Sequence, residues 1–148
     1  MNIRIANPAD ADAIVQFNQA MAYETEGKQL DPAVVGPAVA AVFADERKGF
    51  YVVADDDERV VGGLMITYEW SDWRNAWFWW IQSVYISPEA RGQKIYTKLY
   101  AFVKEKAREA GDVYGIRLYV ETDNSRAQRI YEKVGMEQSH YLMYDEAL

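Results

Sequence analysis

The sequence contains no cysteine and only one histidine, His140. Disulfides, thiolate nucleophiles and cysteine-based zinc sites are therefore excluded, and one imidazole cannot form a histidine metal site. The chain also lacks an uninterrupted apolar run of membrane length and a signal-peptide pattern. We therefore expect a cytoplasmic protein that binds no metal and does not enter a membrane.

Basic residues are also scarce relative to acidic ones. The chain has 16 Lys and Arg against 23 Asp and Glu, which gives a net charge of −7 and a pI near 4.7. Nucleic-acid binding depends on clusters of Lys and Arg, so we expect no nucleic-acid partner. The negative charge favours a cationic partner, although acidity is also an ordinary means of staying in solution.

Half of the 148 residues are apolar, which predicts a single folded domain over residues 1–148. Apolar residues recur with helical spacing in four stretches and follow strand patterns in the others. The predicted order is βααβββαβαβ, which indicates an α+β fold with a mixed sheet. The later strands are predicted at residues 77–86, at residues 114–120, and around Tyr141, Met143 and Tyr144.

The strand at residues 77–86 is predicted to be central, because both of its alternating faces are apolar. One face carries Phe78, Trp80, Val84 and Ile86, and the other carries Trp77, Trp79, Ile81 and Tyr85. We therefore expect both faces to be covered by other elements.

A turn at residues 87–92 joins this strand to a helix. A strand that enters a helix through Arg91-Gly92 brings together free backbone N–H groups, the positive end of a helix dipole and a guanidinium. Such a turn suits an anion such as a pyrophosphate. On these residues alone, a plain turn in which Gly92 adopts positive φ explains the pattern equally well.

Two motifs carry a family resemblance. The first is Arg91, Gly92, Gln93, Lys94, Ile95 and Tyr96, and the second is Asn124, Ala127, Tyr131 and Gly135-Met136. With the order of elements, they resemble the GNAT family of acetyl-coenzyme A dependent N-acetyltransferases over essentially the whole chain. The resemblance implies the GNAT fold, a mixed twisted sheet of six or seven strands with helices on both faces, and acetyl-coenzyme A as cosubstrate.

The first motif corresponds to the loop whose amides hold the cofactor pyrophosphate in that family. Lys94 and Tyr96 depart from the pattern, because the family has small residues at both positions. Lys94 can add charge, and Tyr96 must point its ring away from the loop. By the same resemblance, the main chain of Val84, Tyr85 and Ile86 pairs with the pantetheine arm like an added strand.

The second motif places Asn124, Ala127 and Tyr131 on one helical stripe. The resemblance implies that Asn124 contacts the cofactor and that Tyr131 lies beside the sulfur as general acid. Taken singly, Asn124 is explained equally by a helix N-cap and Tyr131 by core packing.

Acyl transfer to an amine requires that an ammonium with a pKa of about 10 lose its proton. The central strand lacks the glutamate that many family members carry, and its inner positions are Trp80 and Gln82. Candidate catalytic carboxylates therefore come from flanking segments: Glu69 and Asp72 before the strand, and Glu24, with Glu26 as its alternative, after the first helix.

The candidate acceptor contacts are Glu24, Trp70, Asp72, Trp73 and Gln82. The two tryptophans would form a cation–π wall, with core or dimer-surface packing as the alternative. Glu24 with Asp72-Trp73 is loosely similar to the acceptor side of the spermidine/spermine and thialysine acetyltransferases.

We therefore expect transfer of an acetyl group to a primary amine of a small molecule, such as a polyamine or lysine-like amino acid, by direct nucleophilic attack. The alternative is a non-catalytic GNAT-fold module that binds acyl-coenzyme A or serves in assembly. A third interpretation of the tryptophans is that the protein binds carbohydrate. The aromatic strands and the C-terminal segment are compatible with a homodimer.

Overall fold

The first part of the chain forms one strand and two helices in a computed structural model that describes residues 1–148. Asn7 caps a 3-10 turn at Pro8–Asp10, and its side chain accepts a hydrogen bond from the Ala9 amide. The side chain of Asp31 caps the second helix in the same way. The elements are β1 (Asn2–Ile5), α1 (Ala11–Glu26) and α2 (Pro32–Ala44).

The rest of the chain adds four strands and two helices. The strand order is β1-β2-β3-β4-β5, with antiparallel neighbours except for the parallel pair β4 and β5. The predicted mixed sheet is confirmed. The elements are β2 (Phe50–Asp55), β3 (Val60–Ser71), β4 (Ala76–Ile86), α3 (Ile95–Ala110), β5 (Val113–Arg117) and α4 (Ser125–Lys133).

The predicted number of six or seven strands is wrong, because the sheet has five. The segment around Tyr141, Met143 and Tyr144 forms no strand, and these side chains are exposed. Its alternating pattern is typical of a strand, but a strand also needs a neighbour that pairs with its N–H and C=O groups. The alternation of apolar residues does not show whether such a neighbour exists, so the pattern alone predicted too many strands.

Helices α1 and α2 cover one face of the sheet. Ile14 from α1 and Val39 from α2 pack with Tyr51 and Val53 of β2 in one buried cluster, which Met65 of β3 also contacts. The opposite face is buried as well. Leu64 and Ile66 on that face, and Leu99 and Val103 of α3, have almost no solvent exposure. On β4 the adjacent residues Phe78 and Trp79, which face opposite sides, are also buried, so the cover expected for this strand is present.

A β-bulge interrupts the alternation of β4. Met65 pairs with Gln82 and Gly63 pairs with Tyr85, so two residues of β4 stand opposite the single residue Leu64. One of these two residues is Ser83, whose backbone is left-handed at φ 52°. Because Gly63 and Met65 share a face of β3, the bulge brings Tyr85 onto the face of Gln82. The predicted placement of Tyr85 on the opposite face is therefore wrong.

Strands β4 and β5 pair over only part of their length. The register runs from Trp77 with Val113 to Trp80 with Arg117, where β5 ends. The remainder of β4, which includes the bulge, continues beside β3 alone. One edge of this half of β4 is therefore open within the sheet.

The chain divides into two units, Met1–Leu118 and Tyr119–Leu148. The first contains the whole sheet with α1, α2 and α3. The second contains α4, whose N-cap Asn124 accepts a hydrogen bond from the Ala127 amide. None of the four α-helices is both long enough and apolar enough to cross a membrane.

Candidate active site

The loop between β4 and α3 uses two left-handed residues. Gly92 has φ 83°, and Lys94, the N-cap residue of α3, has φ 57°. Lys94 therefore adopts a conformation that glycine adopts without strain. The first N–H groups of α3 have no acceptor within the helix, and the positive end of the helix dipole lies with them. The loop can thus accept an anion despite the unusual lysine.

The two residues after Lys94 turn their side chains into the protein. Ile95 and Tyr96 are buried, and the Tyr96 ring stacks on Tyr100 with centroids 6.1 Å apart. The backbone of the loop is consequently not covered by either side chain.

The open half of β4 lies directly before this loop. Tyr85 and Ile86 pair with Gly63 and Gly62 of β3 on one side, and β5 does not extend along the other side. Together with Val84, they form the stretch expected to pair with pantetheine. An open strand edge leading into a loop of free amides fits an extended thiol arm that ends in a pyrophosphate.

Three charged or polar side chains meet at the end of β4. The Tyr85 hydroxyl donates to Glu24 Oε1 at 3.0 Å, and Arg91 Nη2 donates to Glu24 Oε2 at 2.9 Å. Arg91 Nε also donates to the Ile86 carbonyl at 3.0 Å, and the guanidinium lies 5.6 Å from the Tyr85 ring centroid. The structure thus joins Glu24, a predicted acceptor residue, to Arg91, a predicted cofactor residue.

The charges in this cluster are set by its contacts. The Arg91 guanidinium lowers the pKa of the Glu24 carboxyl, with a further contribution from the Tyr85 hydroxyl. Burial raises the pKa of the Tyr85 phenol, and the neighbouring Glu24 carboxylate raises it further. Glu24 is therefore a carboxylate and Tyr85 a neutral phenol at neutral pH.

A small cleft lies between α1 and the sheet, next to the bulge. Phe17, which lines it, packs against Tyr85 with ring centroids 5.3 Å apart. Phe17 therefore both lines the cleft and packs against Tyr85 of the Glu24 cluster. Its lining consists of Ile14, Phe17, Asn18, Tyr51, Val52, Val53, Gly63, Leu64 and Ser83.

Glu69 lies in a second cluster, nearer the middle of β4. It accepts hydrogen bonds from Trp80 Nε1 at 2.7 Å and from Arg117 Nη1 at 3.0 Å. The Arg117 guanidinium stacks on the Phe78 ring, 3.6 Å from its centroid. These contacts link β3, β4 and β5 where β5 ends, so Glu69 has a structural role beside any catalytic one.

The remaining predicted acceptor residues make their contacts elsewhere and not with Glu24. Gln82 donates to Thr67 Oγ1 at 2.6 Å across β3 and β4. Asp72 and Trp73 lie in the turn before β4, and Trp73 is 87% exposed. Trp70 packs edge-on against Trp77 with centroids 4.9 Å apart and is about half exposed.

The second motif lies in the unit Tyr119–Leu148 and forms the helix expected from its spacing. Asn124 caps α4. Burial raises the pKa of the Tyr131 phenol, so Tyr131 carries its proton throughout the neutral range. The capping hydrogen bond was the alternative role weighed for Asn124, and it occupies the side-chain oxygen of that residue.

A family model for the acetyltransferase (GNAT) family matches residues 12–136, which include both motifs and the Glu24 cluster. The chain belongs to the GNAT family. Enzymes of this family transfer an acetyl group from acetyl-coenzyme A, and this chain is accordingly an acetyl-coenzyme A dependent N-acetyltransferase. The enzymatic interpretation is thus favoured over a non-catalytic module.

Individual relatives agree with GNAT membership. A solved structure of a possible acetyltransferase from Clostridium difficile is 44% identical, with a TM-score of 0.92, over 99% of this chain and 97% of that chain. An acetyltransferase of Agrobacterium fabrum is 29% identical over 91% of this chain and 83% of its own length. An aminoalkylphosphonate N-acetyltransferase of Salmonella typhimurium is 28% identical over 94% of this chain and 86% of its own length.

The contact of the Tyr85 side chain with Glu24 was not predicted from the sequence. The family resemblance gave a role only to the main chain of Tyr85, and its side chain was expected to be ordinary core. The signal that could have corrected it is Gly62-Gly63 on the neighbouring strand, which often marks a bulge or close backbone approach. A Cβ on Gly63 would lie 2.8 Å from the Val52 carbonyl oxygen.

Proposed function

We propose that the acceptor is a small primary amine whose ammonium group binds at Glu24. The observation that carries the proposal is the Glu24 carboxylate itself: it is partly exposed, it has a lowered pKa, and it lies beside the loop that fits the cofactor. A carboxylate beside the Tyr85 ring, which packs against Phe17, is a suitable partner for an alkylammonium.

The lowered pKa keeps Glu24 ionised and makes it a weak proton acceptor. Its role in the proposal is therefore to bind and orient the ammonium, and the proton that the amine loses before attack passes to water. The rings of Phe17 and Tyr85, which pack together next to it, supply apolar and cation–π contact. Both effects favour an amine over a neutral acceptor.

Acetyl-coenzyme A, when bound, supplies an acetyl thioester. The chain has no cysteine to carry an acyl group, which supports direct attack by the amine. Tyr131 keeps a proton on its phenol oxygen, and we assign it the role of donor to a departing thiolate with a pKa of about 8.5.

Asp72 and Trp73 support a different placement of the acceptor, at the start of β4. From Ala76 to Tyr85 an extended strand covers about 30 Å, which exceeds the length of a small amine. One small acceptor therefore does not contact both ends. The partnered, partly buried Glu24 cluster is the better candidate than the exposed turn.

Polyamines and lysine-like amino acids fit these features. The Glu24 carboxylate is a partner for an ammonium, and the net charge of −7 favours cations. The relative from Salmonella typhimurium acts on an aminoalkylphosphonate by name. An amine that also carries an anionic group is therefore the alternative acceptor to compare with polyamines and lysine.

The test is thiol release from acetyl-coenzyme A with a panel of spermidine, lysine, an aminoalkylphosphonate and a peptide with a free N-terminus. The enzyme is compared with Glu24→Gln, Glu69→Gln and Asp72→Asn. We expect Glu24→Gln to raise KM for the best small amine about tenfold, since a charged hydrogen bond is lost. A larger KM effect for Asp72→Asn, or turnover of the peptide alone, would refute the proposal.

The oligomeric state is part of the same proposal. Tyr141, Leu142 and Tyr144 are 64%, 80% and 90% exposed, which supports a homodimer that covers the C-terminal segment. The homodimer is tested by sedimentation of the full chain and of the variants Tyr141→Ser and Leu142→Ser, in a buffer of cytoplasmic ionic strength. If the full chain is a monomer at every concentration, the homodimer proposal is wrong.

A further inference from the structure

Arg91 contacts the two halves of the active site with one guanidinium. It is the first residue of the cofactor loop, and its Nη2 atom donates to Glu24, the proposed acceptor residue, at 2.9 Å. Its Nε atom donates at the same time to the Ile86 carbonyl at the end of β4. The side chain is thus anchored to β4 while its outer nitrogen engages Glu24.

The Glu24 and Arg91 pair is open to solvent. The side chains are 38% and 42% exposed, respectively, and the contact between them is a single hydrogen bond. Pairs of this kind contribute little net stability, so a stronger anion can displace the carboxylate. A pyrophosphate carries more than one charge and is a better partner for a guanidinium.

We propose that Arg91 couples the binding of the two substrates. In the free enzyme its charge neutralises Glu24 and repels an ammonium placed there. When the pyrophosphate of coenzyme A attracts the guanidinium, the Glu24 charge becomes available, so the donor strengthens binding of the acceptor. This coupling rests on the proposed function, in which Glu24 receives the ammonium, and linkage makes it reciprocal.

The displacement requires little motion. The Nε bond to Ile86 can persist while Nη2 leaves Glu24, because the two bonds use different nitrogens. The Tyr85 hydroxyl continues to hold Glu24 Oε1. Glu24 therefore keeps its position when Arg91 leaves and needs no new rotamer to meet the acceptor.

The test measures coenzyme A binding by calorimetry in wild type, Glu24→Gln, Arg91→Gln and the double variant. Because Glu24 competes for Arg91, we expect Glu24→Gln to tighten coenzyme A binding about two- to fivefold. In the Arg91→Gln background the same change should have no effect. Pantetheine, which has no pyrophosphate, should bind all four proteins equally.

Glu89→Gln is the matched control for simple loss of negative charge. Glu89 lies two residues before Arg91 and pairs with Arg59 at 2.6 Å instead. Equal tightening by Glu89→Gln and Glu24→Gln would overturn the proposal, because charge alone would explain it. Weaker coenzyme A binding in Glu24→Gln would also overturn it, since Glu24 would then prepare Arg91 for the pyrophosphate.

Two further measurements keep the outcomes separate. Glu24→Ala replaces Glu24→Gln if the latter unfolds, as judged by its thermal midpoint. The acceptor identified by the amine panel is then titrated with and without coenzyme A, and Arg91→Gln should abolish the difference in affinity. The double-mutant cycle measured with coenzyme A uses no amine. It therefore tests the role of Arg91 even if the acceptor assignment fails.

Discussion

At the scale of single residues, Lys94 shows how the loop keeps its shape without the expected small residue. Its left-handed backbone is costly for any residue with a Cβ, by about 1–2 kcal/mol. Gly92, two residues earlier, has a similar φ at no such cost. Lys94 therefore occupies a strained backbone position within the loop, where we expect its charge to favour an anion.

Lys94→Gly should stabilise the free protein by about 1 kcal/mol or less and weaken coenzyme A binding, because strain and charge are both removed. The urea midpoint and calorimetry measure the two effects. Gly92→Ala is the converse experiment and should lower stability. The added Cβ would have no atom within 4 Å, so the loss would come from backbone strain alone. A stability gain in Lys94→Ala equal to that in Lys94→Gly would contradict this explanation.

Tyr131→Phe should lower kcat about ten- to a hundredfold and leave coenzyme A affinity unchanged. The phenol keeps its proton because burial raises its pKa. A general acid contributes about 10²–10⁴-fold in general, and we expect the lower end or less here because a thiolate with a pKa of about 8.5 leaves readily without a proton. Steady-state kinetics and calorimetry separate the two quantities. Tyr144→Phe, at a 90% exposed tyrosine of the same unit, is the control. Unchanged kcat in Tyr131→Phe would remove the acid assignment.

At the scale of elements, a charged cluster joins β1, the turn after it and β2. The buried Asp10 accepts hydrogen bonds from Arg4 Nη1 at 2.8 Å and Nη2 at 3.0 Å, and from the Asn7 amide at 2.8 Å. Asp55 of β2 shares the same guanidinium. Arg4 lowers the pKa of Asp10, despite the opposing effect of burial.

This pKa shift predicts a loss of stability in acid. A carboxyl whose pKa is lower in the folded than in the unfolded state stabilises the fold fully above the unfolded pKa of about 3.9, and this stability is lost as the pH falls through the folded value. Asp10→Asn should cost about 2 kcal/mol at neutral pH and should flatten the pH dependence below about pH 4. Urea unfolding at several pH values measures both effects. Parallel pH profiles for wild type and variant would contradict the prediction.

Most elements could be predicted from sequence, because helical spacing, caps and apolar strands are local signals. The exceptions depend on pairing between distant residues. The extra residue at Ser83 moved Tyr85 to the other face, and the segment at Tyr141 lacked a partner strand. Glu24 and Arg91 were each identified by local motifs, but their contact joins residues 67 positions apart, which neither motif encodes.

At the scale of the whole molecule, the net charge of −7 acts on the two substrates in opposite directions. Between about 10 and 100 mM salt the Debye length falls from about 30 to about 10 Å. Over this range KM for a polyamine should rise and KM for the anionic donor should fall. Steady-state kinetics at several salt concentrations check this, with lysine as the acceptor of lower net charge. A salt-independent KM for the polyamine would exclude long-range attraction.

All five tryptophans lie between residues 70 and 80, in β3, β4 and the turn that joins them. Intrinsic fluorescence therefore reports on one hairpin, whereas circular dichroism reports on all four helices. Neither Arg91 nor any residue of Tyr119–Leu148 has a tryptophan neighbour in the sequence. An unfolding curve recorded by fluorescence alone would describe that hairpin, and only coincidence with the dichroism curve would establish a two-state transition for the whole enzyme.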